Sequence, residues 1–197
     1  MSRPVLQFWF EFASTYSYLS VMRIGELADR AGVEVDWRPF WLGPIFKAQG
    51  WETSPFNLYP VKGAYMWRDM ERLCAERSLP LCRPDPFPQN SILAARTALL
   101  ALKAPQGKAF CRAVYAAEFG EGRGINDPDL LRGLLEQSGL AAGLVDEAGS
   151  EPAKQALRDS VAGAMQLGIF GAPSFIADGE LFWGDDRLEM ALARLSR

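Results

Sequence analysis

Leu6-Gln-Phe-Trp-Phe-Glu-Phe12 is dominated by aromatic and apolar residues, and it runs directly into Ala13-Ser14-Thr15-Tyr16-Ser17. A short apolar run closed by small polar residues reads as a buried strand meeting a turn. Beyond the turn, Tyr18, Leu19, Met22, Leu27 and Ala31 fall near helical spacing, so a helix is predicted from about Thr15 to Arg30. Gly32 stands where such a helix needs a left-handed cap. Val33–Phe40 then sets Val33, Val35 and Trp37 against Glu34, Asp36 and Arg38, the alternation of a second strand. A strand, a helix and a strand in succession form a parallel unit. The turn places the Ser14 and Ser17 hydroxyls at a helix N-terminus just past a strand. Unpaired N–H groups and the positive end of the helix dipole meet there, an environment that suits a thiolate or another anion.

The middle of the chain is helical. Leu42–Gly50 opens as a short helix, and Trp51–Pro60 reads as an aromatic loop able to cover a pocket. A helix over about 61–77 carries Met66, Met70, Leu73 and Cys74 as its core stripe. Pro80, Pro84, Pro86 and Pro88 exclude helix through Leu79–Gln89. Asn90 is read as the N-cap of a helix to about Leu102, with Ile92, Leu99 and Leu102 inward. Further helices are predicted over Gly107–Phe119, from Asp127-Pro128 to about Gln137, near Ala141–Ala148, and from Ser150 to Leu167, where Gly168 stops the last one. Gly171–Gly184 then reads as a hairpin turned on Asp178-Gly179, and Asp186–Leu195 as a closing helix.

The 197 residues hold 21 basic and 24 acidic side chains with no Lys/Arg block, which argues against a nucleic-acid partner. No apolar run reaches the roughly 18 residues of a membrane span, and the N-terminus lacks a signal-peptide pattern, so the expectation is a cytoplasmic protein that does not engage a membrane. The cysteines Cys74, Cys82 and Cys111 form no Cys-x-x-Cys pair and read as small buried hydrophobes. The chain contains no histidine. This excludes a Ser-His-Asp triad, His-containing zinc sites and any imidazole proton transfer. No metal site is expected.

Strand–helix–strand followed later by hairpin–helix is the thioredoxin arrangement. The fold class is therefore α/β, a thioredoxin-like fold with a large all-helical insertion between its two halves. The thioredoxin-like domain spans 1–41 and 168–197, and the helical insertion domain 42–167. A thioredoxin-type oxidoreductase carries Cys-x-x-Cys where this chain has Ser14-x-x-Ser17, so disulfide exchange at that turn is excluded. Gly171-Ala172-Pro173 matches the loop that keeps a cis proline opposite the helix terminus.

Three stretches resemble a known family. Phe8-Trp-Phe-Glu-Phe-Ala-Ser14-Thr-Tyr-Ser-Tyr-Leu19 is similar to the strand–Ser-Pro-Tyr/Phe-Ser-Tyr-Leu start of the 2-hydroxychromene-2-carboxylate isomerases. Phe170-Gly-Ala-Pro-Ser-Phe175 and Leu181-Phe-Trp-Gly-Asp-Asp-Arg-Leu188 resemble their Phe-Gly-Val-Pro and Trp-Gly-x-Asp-Arg-Leu signatures. Gly43-Pro-Ile-Phe-Lys47 and Pro88-Gln-Asn90-Ser91 carry the likeness into the insertion. The family is related to kappa-class glutathione transferases and DsbA-type proteins.

The resemblance implies a glutathione-dependent enzyme, a homodimer of aromatic catabolism. It would interconvert 2-hydroxychromene-2-carboxylate, or a close analogue, and trans-o-hydroxybenzylidenepyruvate, leaving glutathione unconsumed. It makes Ser14 the catalytic residue beside the glutathione sulfur, and places Thr15, Tyr16, Ala172, Trp183, Gly184, Asp185 and Asp186 around glutathione. Lys47, Trp51 and Asn90 would meet a small aromatic carboxylate substrate, with Phe56, Tyr59 and Trp67 completing an aromatic wall. Read from residue type alone, Ser14 is equally a plain N-cap, Asn90 a cap, and one of the two aspartates a helix-start residue. Thr15 stands where the family usually has proline, and Trp51 where related chains often have asparagine; both departures bear on substrate. Two other readings stay open: a kappa-like transferase conjugating an electrophile, and a non-enzymatic binding module that has lost its redox pair.

Overall fold

A computed structural model describes residues 3–196. β1 (Val5–Phe10) leads through the turn into α1 (Thr15–Ala31), and β2 (Glu34–Pro39) follows. The helical segment comprises α2 (Gly43–Ala48), α3 (Pro55–Leu58), α4 (Pro60–Glu76), α5 (Ile92–Ala101), α6 (Gly107–Tyr115), α7 (Pro128–Gln137), α8 (Leu144–Glu147) and α9 (Glu151–Gln166). β3 (Ser174–Ala177), β4 (Glu180–Trp183) and α10 (Leu188–Leu195) close the chain. The sheet order is β2-β1-β3-β4, with β1 and β2 parallel and both other pairings antiparallel. This is the thioredoxin arrangement the element order predicts.

The local signals act as expected at both ends of the sheet. Ser14 sits in extended backbone and its Oγ accepts the Ser17 N–H, while Gly32, at φ +68°, ends α1 in the left-handed region. Asp178 and Gly179 both have positive φ, 51° and 77°, as a two-residue hairpin matched to strand twist requires. The Ala172–Pro173 bond is cis.

Strand β1 is buried on both faces because helices cover both. On one face Phe8 stacks on Phe10 and Phe175, at 5.1 and 5.4 Å between ring centres, within a core that includes Leu19 and Ile24 of α1 and Leu188 of α10. On the other, Trp9 joins Phe40, Ile45, Ala164 and Ile176. The first core also takes in Ala94, Ala98, Phe110, Tyr115 and Leu131, so the insertion packs into the same core as the thioredoxin half.

Several local details differ from the sequence expectation. The Trp51–Pro60 loop contains one helical turn, α3, started by Ser54 Oγ accepting the Phe56 N–H. Asn90 lies one residue ahead of the cap position, its Oδ1 accepting the Ile92 N–H at 3.2 Å. The inward face of α5 is Ala94, Ala95, Ala98 and Ala101, with Ile92, Leu99 and Leu102 at the margin, because α5 is enclosed by β2, α6, α8 and α9 and small side chains permit that approach. After Tyr115 the backbone widens into a π-helical turn, Ala116–Gly120, and Asp185–Arg187 forms a 3-10 turn before α10. Cys74 and Cys111 are buried as expected, whereas Cys82 is exposed.

Candidate active site

The carboxyl end of β1, the first turn of α1 and the loop entering β3 meet at one edge of the sheet. Ser14 Oγ donates to the Ala172 carbonyl at 3.0 Å and accepts the Ser17 N–H at 3.2 Å. It is therefore both the helix cap and a bridge to the cis-proline loop. Ladder pairing of β3 with β1 begins at Ser174, opposite Trp9, so Ala172 lies beyond the sheet and its backbone is not part of the ladder. The amides of Thr15 and Tyr16 open α1 and have no carbonyl a turn behind them to bond. The site holds no thiol of its own. Burial pushes the Cys74 and Cys111 thiols up, away from thiolate.

The turn's other side chains face different neighbours. Thr15 is buried and its hydroxyl faces Met66 Sδ of α4. The Tyr16 hydroxyl donates to Asp69 Oδ2 at 2.9 Å, and its pKa is raised, first by burial and then by that bond and the nearby charges of Asp69 and Asp186. Phe56 of α3 lies 6.5 Å from the Tyr16 ring.

Adjacent aspartates have opposite surroundings. Asp185 is 4 % exposed; it takes the Ser20 hydroxyl at 2.8 Å, Arg23 Nε at 3.2 Å and an Arg77 nitrogen at 2.7 Å. Its carboxylate is fully engaged in tying α1, α4 and the start of α10 together. Asp186 faces solvent, and among the described residues its carboxylate pairs with its neighbour Arg187. Gly184, at φ +105°, leaves room for it: a Cβ there would lie 2.6 Å from Asp186 Oδ1. Gly171 does the same for Trp183, whose half-exposed ring packs over that loop and against Phe170, 4.9 Å away.

Residues 5–196 match the model of the DSBA-like thioredoxin domain. Over 186 residues the chain is 36% identical to the 2-hydroxychromene-2-carboxylate isomerase of Sphingobium xenophagum, covering 93% of this chain and 94% of that protein. The chain belongs to this isomerase family of DsbA-like thioredoxin proteins. It is also 24% identical over 200 residues to human glutathione S-transferase kappa 1, covering 94% of this chain and 88% of that protein. A solved 2-hydroxychromene-2-carboxylate isomerase superposes with a TM-score of 0.85 at 25% identity, covering 96% of this chain and 93% of that one.

Within this isomerase-family chain, Ser14, Thr15 and Tyr16 open α1, and the Ser14 hydroxyl joins Ala172 to that terminus. Lys47 is exposed on α2, Trp51 packs on Phe46 of the same helix at 5.9 Å, and Asn90 stands just ahead of the α5 cap position with its Oδ1 accepting the Ile92 N–H. Tyr59 is 56 % exposed, and Trp67 packs edge-on against Phe87. Two acidic residues escape sequence reasoning. Asp69 reaches the site only through the packing of α4 on α1, for which the sequence carries no local sign. Glu11 did carry a sign, as the one charged residue in the apolar run Leu6–Phe12. Among the described residues no group of three or more His, Cys, Asp or Glu is placed to hold a metal. No helix among them is long and apolar enough to cross a membrane.

Proposed function

We propose that this protein is a glutathione-dependent isomerase that interconverts 2-hydroxychromene-2-carboxylate, or a close analogue, and trans-o-hydroxybenzylidenepyruvate. The observation that carries the reading is the Ser14 hydroxyl against the Ala172 carbonyl at the α1 terminus, in a turn with no sulfur of its own. These residues fit a thiol tripeptide: a backbone edge at Ala172 outside the sheet ladder, two helix-start amides, and the solvent-facing Asp186 carboxylate for an ammonium group. Glutathione, when bound, supplies a nucleophilic sulfur that adds reversibly to a conjugated system.

The chain's own groups do the rest. Ser14 turns its O–H from the Ala172 carbonyl toward the sulfur, and with the Thr15 and Tyr16 amides favours the thiolate there. Ala172 offers its N–H and C=O to an extended peptide. Asp186 takes the γ-glutamyl end, since Asp185 is already held by two arginines. Lys47 and Asn90 meet the substrate carboxylate, and Trp51 and Phe56 flank its ring. The reaction is proton-neutral overall: the proton lost from the C2 hydroxyl of the chromene is balanced by the one gained at the ring oxygen freed on opening, and the sulfur leaves as it came.

The test is turnover of 2-hydroxychromene-2-carboxylate with and without glutathione. Turnover that requires glutathione supports the reading; turnover indifferent to glutathione defeats it. The likeness to the human kappa transferase favours one alternative, conjugation of an electrophile. A halogenated nitroaromatic separates the two by whether a thioether accumulates. The proposal includes a cytoplasmic setting in aromatic catabolism and a homodimer. Exposed Leu58, Tyr59, Val61 and Tyr65 on α3 and α4 supply apolar surface for pairing, and sedimentation of Val61→Glu against the unmodified protein tests it.

A further inference from the structure

Glu11 is 3 % exposed and lies between the Ser14 turn and the start of α2. Its Oε2 accepts the Leu42 N–H at 2.8 Å and its Oε1 the Ala13 N–H at 3.3 Å. Its main-chain oxygen accepts the Ser14 N–H at 3.0 Å and the Tyr115 hydroxyl at 2.6 Å. The side chain thus joins two parts of the site: Ala13 stands beside Ser14 in the turn, and Leu42 opens the helix that carries Lys47. Among the described residues Glu11 has no salt bridge, so hydrogen bonds alone compensate its burial. In an ordinary core an apolar residue would be cheaper at this position.

We propose that Glu11 is a positioning residue that fixes the Lys47 segment against the Ser14 turn. The inference rests on the reading that Lys47 and Ser14 serve one reaction. The acceptor count explains the residue type. A carboxylate offers both oxygens as acceptors, whereas glutamine offers one and would present an N–H₂ to the other amide. Aspartate keeps both oxygens but is one methylene shorter, so it cannot span from the turn to Leu42.

Glutathione-supported turnover by the unmodified protein decides the functional reading; Glu11→Gln and Glu11→Asp decide the positioning role. In Glu11→Gln, KM for 2-hydroxychromene-2-carboxylate rises about tenfold, the effect of losing one hydrogen bond to a charged group. The glutathione Kd, read by calorimetry, stays within about twofold, because Ala172 and Asp186 lie outside the latch. A merely structural role would lower the active fraction, hence kcat, and leave KM unchanged. Hydrogen exchange gives a second readout that needs no turnover: the amides of residues 42–48 exchange faster in Glu11→Gln, while those of α7 do not. If Glu11→Gln does not fold, Glu11→Asp carries the same KM and exchange expectations. A KM within about twofold of the unmodified value, or unchanged exchange over residues 42–48, overturns the proposal.

Discussion

The two sides of the proposed site are built by different means. The edge formed by Ser14, Ala172 and Asp186 is anchored in the sheet and core: β1 and β3 are paired, and α1 and α10 are joined through the buried Asp185. The facing edge, α2 and α3 with Lys47 and Trp51, is held by few tethers: Ile45 in the core beside Trp9, the Leu42 N–H given to Glu11, a Ser54 cap and the Phe46–Trp51 pair. A peptide ligand needs fixed backbone donors and acceptors, which a sheet edge supplies. A family of aromatic substrates needs a cover that can change shape and sequence without disturbing that edge. Substitutions on the anchored side should therefore alter stability and the common chemistry, and those on the cover should alter substrate affinity.

The largest effect expected is at Asp185. Asp185→Ala leaves Arg23 and Arg77 facing a buried vacancy, and breaking a buried ion pair of this kind costs about 3–5 kcal/mol. Urea unfolding measures it. The neighbouring Asp186→Ala should change stability by less than about 0.5 kcal/mol, since its side chain is in solvent, and should weaken glutathione binding instead. Equal destabilisation by both would break the distinction between them.

Ser14→Ala comes next. Removing one donor aimed at a developing charge lowers kcat by about 10²-fold, as in oxyanion sites. Loss of the N-cap costs about 1 kcal/mol of stability. Activity that falls only in proportion to stability would make Ser14 a cap and nothing more.

Glu118 tests the helical side. It lies in the π-helical turn, fully buried, with neither carboxylate oxygen bonded, and its pKa is raised well above the usual range by burial and by the charge of Glu11. A folded-state pKa above the unfolded value stabilises the fold below the unfolded pKa, and that contribution is lost as pH rises toward the folded pKa. Stability should therefore decline from about pH 4.5 upward through this residue. Glu118→Leu should flatten the decline and stabilise the protein at pH 8 by about 1–3 kcal/mol, the cost of an unsatisfied buried polar group. Chemical denaturation at pH 5 and pH 8 checks both the sign and the difference.

Much of the anchored side is legible in the sequence because local rules specify it. Ser14 and Gly32 mark both ends of α1, and Asp178-Gly179 dictates the hairpin. The cover is less legible. Its one-turn helix α3 hangs on a single cap, and the inward face of α5 is set by how closely other helices approach, which favours alanine over the larger residues that hydropathy selects. The roles of Asp185 and Asp186 could not be told apart in sequence, since the arginines that claim Asp185 come from α1 and the end of α4. Glu11 was visible as a charge within an apolar run, but its partners Leu42 and Tyr115 come from distant segments that only the fold brings to it.

The smallest effect expected belongs to Lys47. Its ammonium is exposed on α2 and has no carboxylate partner among the described residues, so nothing in the fold depends on it. Exposed charge pairs are worth about 0.2–1 kcal/mol, which corresponds to a rise in KM of no more than about fivefold for an aromatic carboxylate in Lys47→Gln. The kcat and the glutathione Kd should not move, because neither depends on the cover. Added salt supplies a second check: an interaction at this exposure is screened at high ionic strength, so the KM values of Lys47→Gln and the unmodified protein should converge there. A loss much larger than this, or one that salt does not erase, would mean that the cover closes over Lys47 during turnover, and that the two sides of the site differ less in the working enzyme than in the structure.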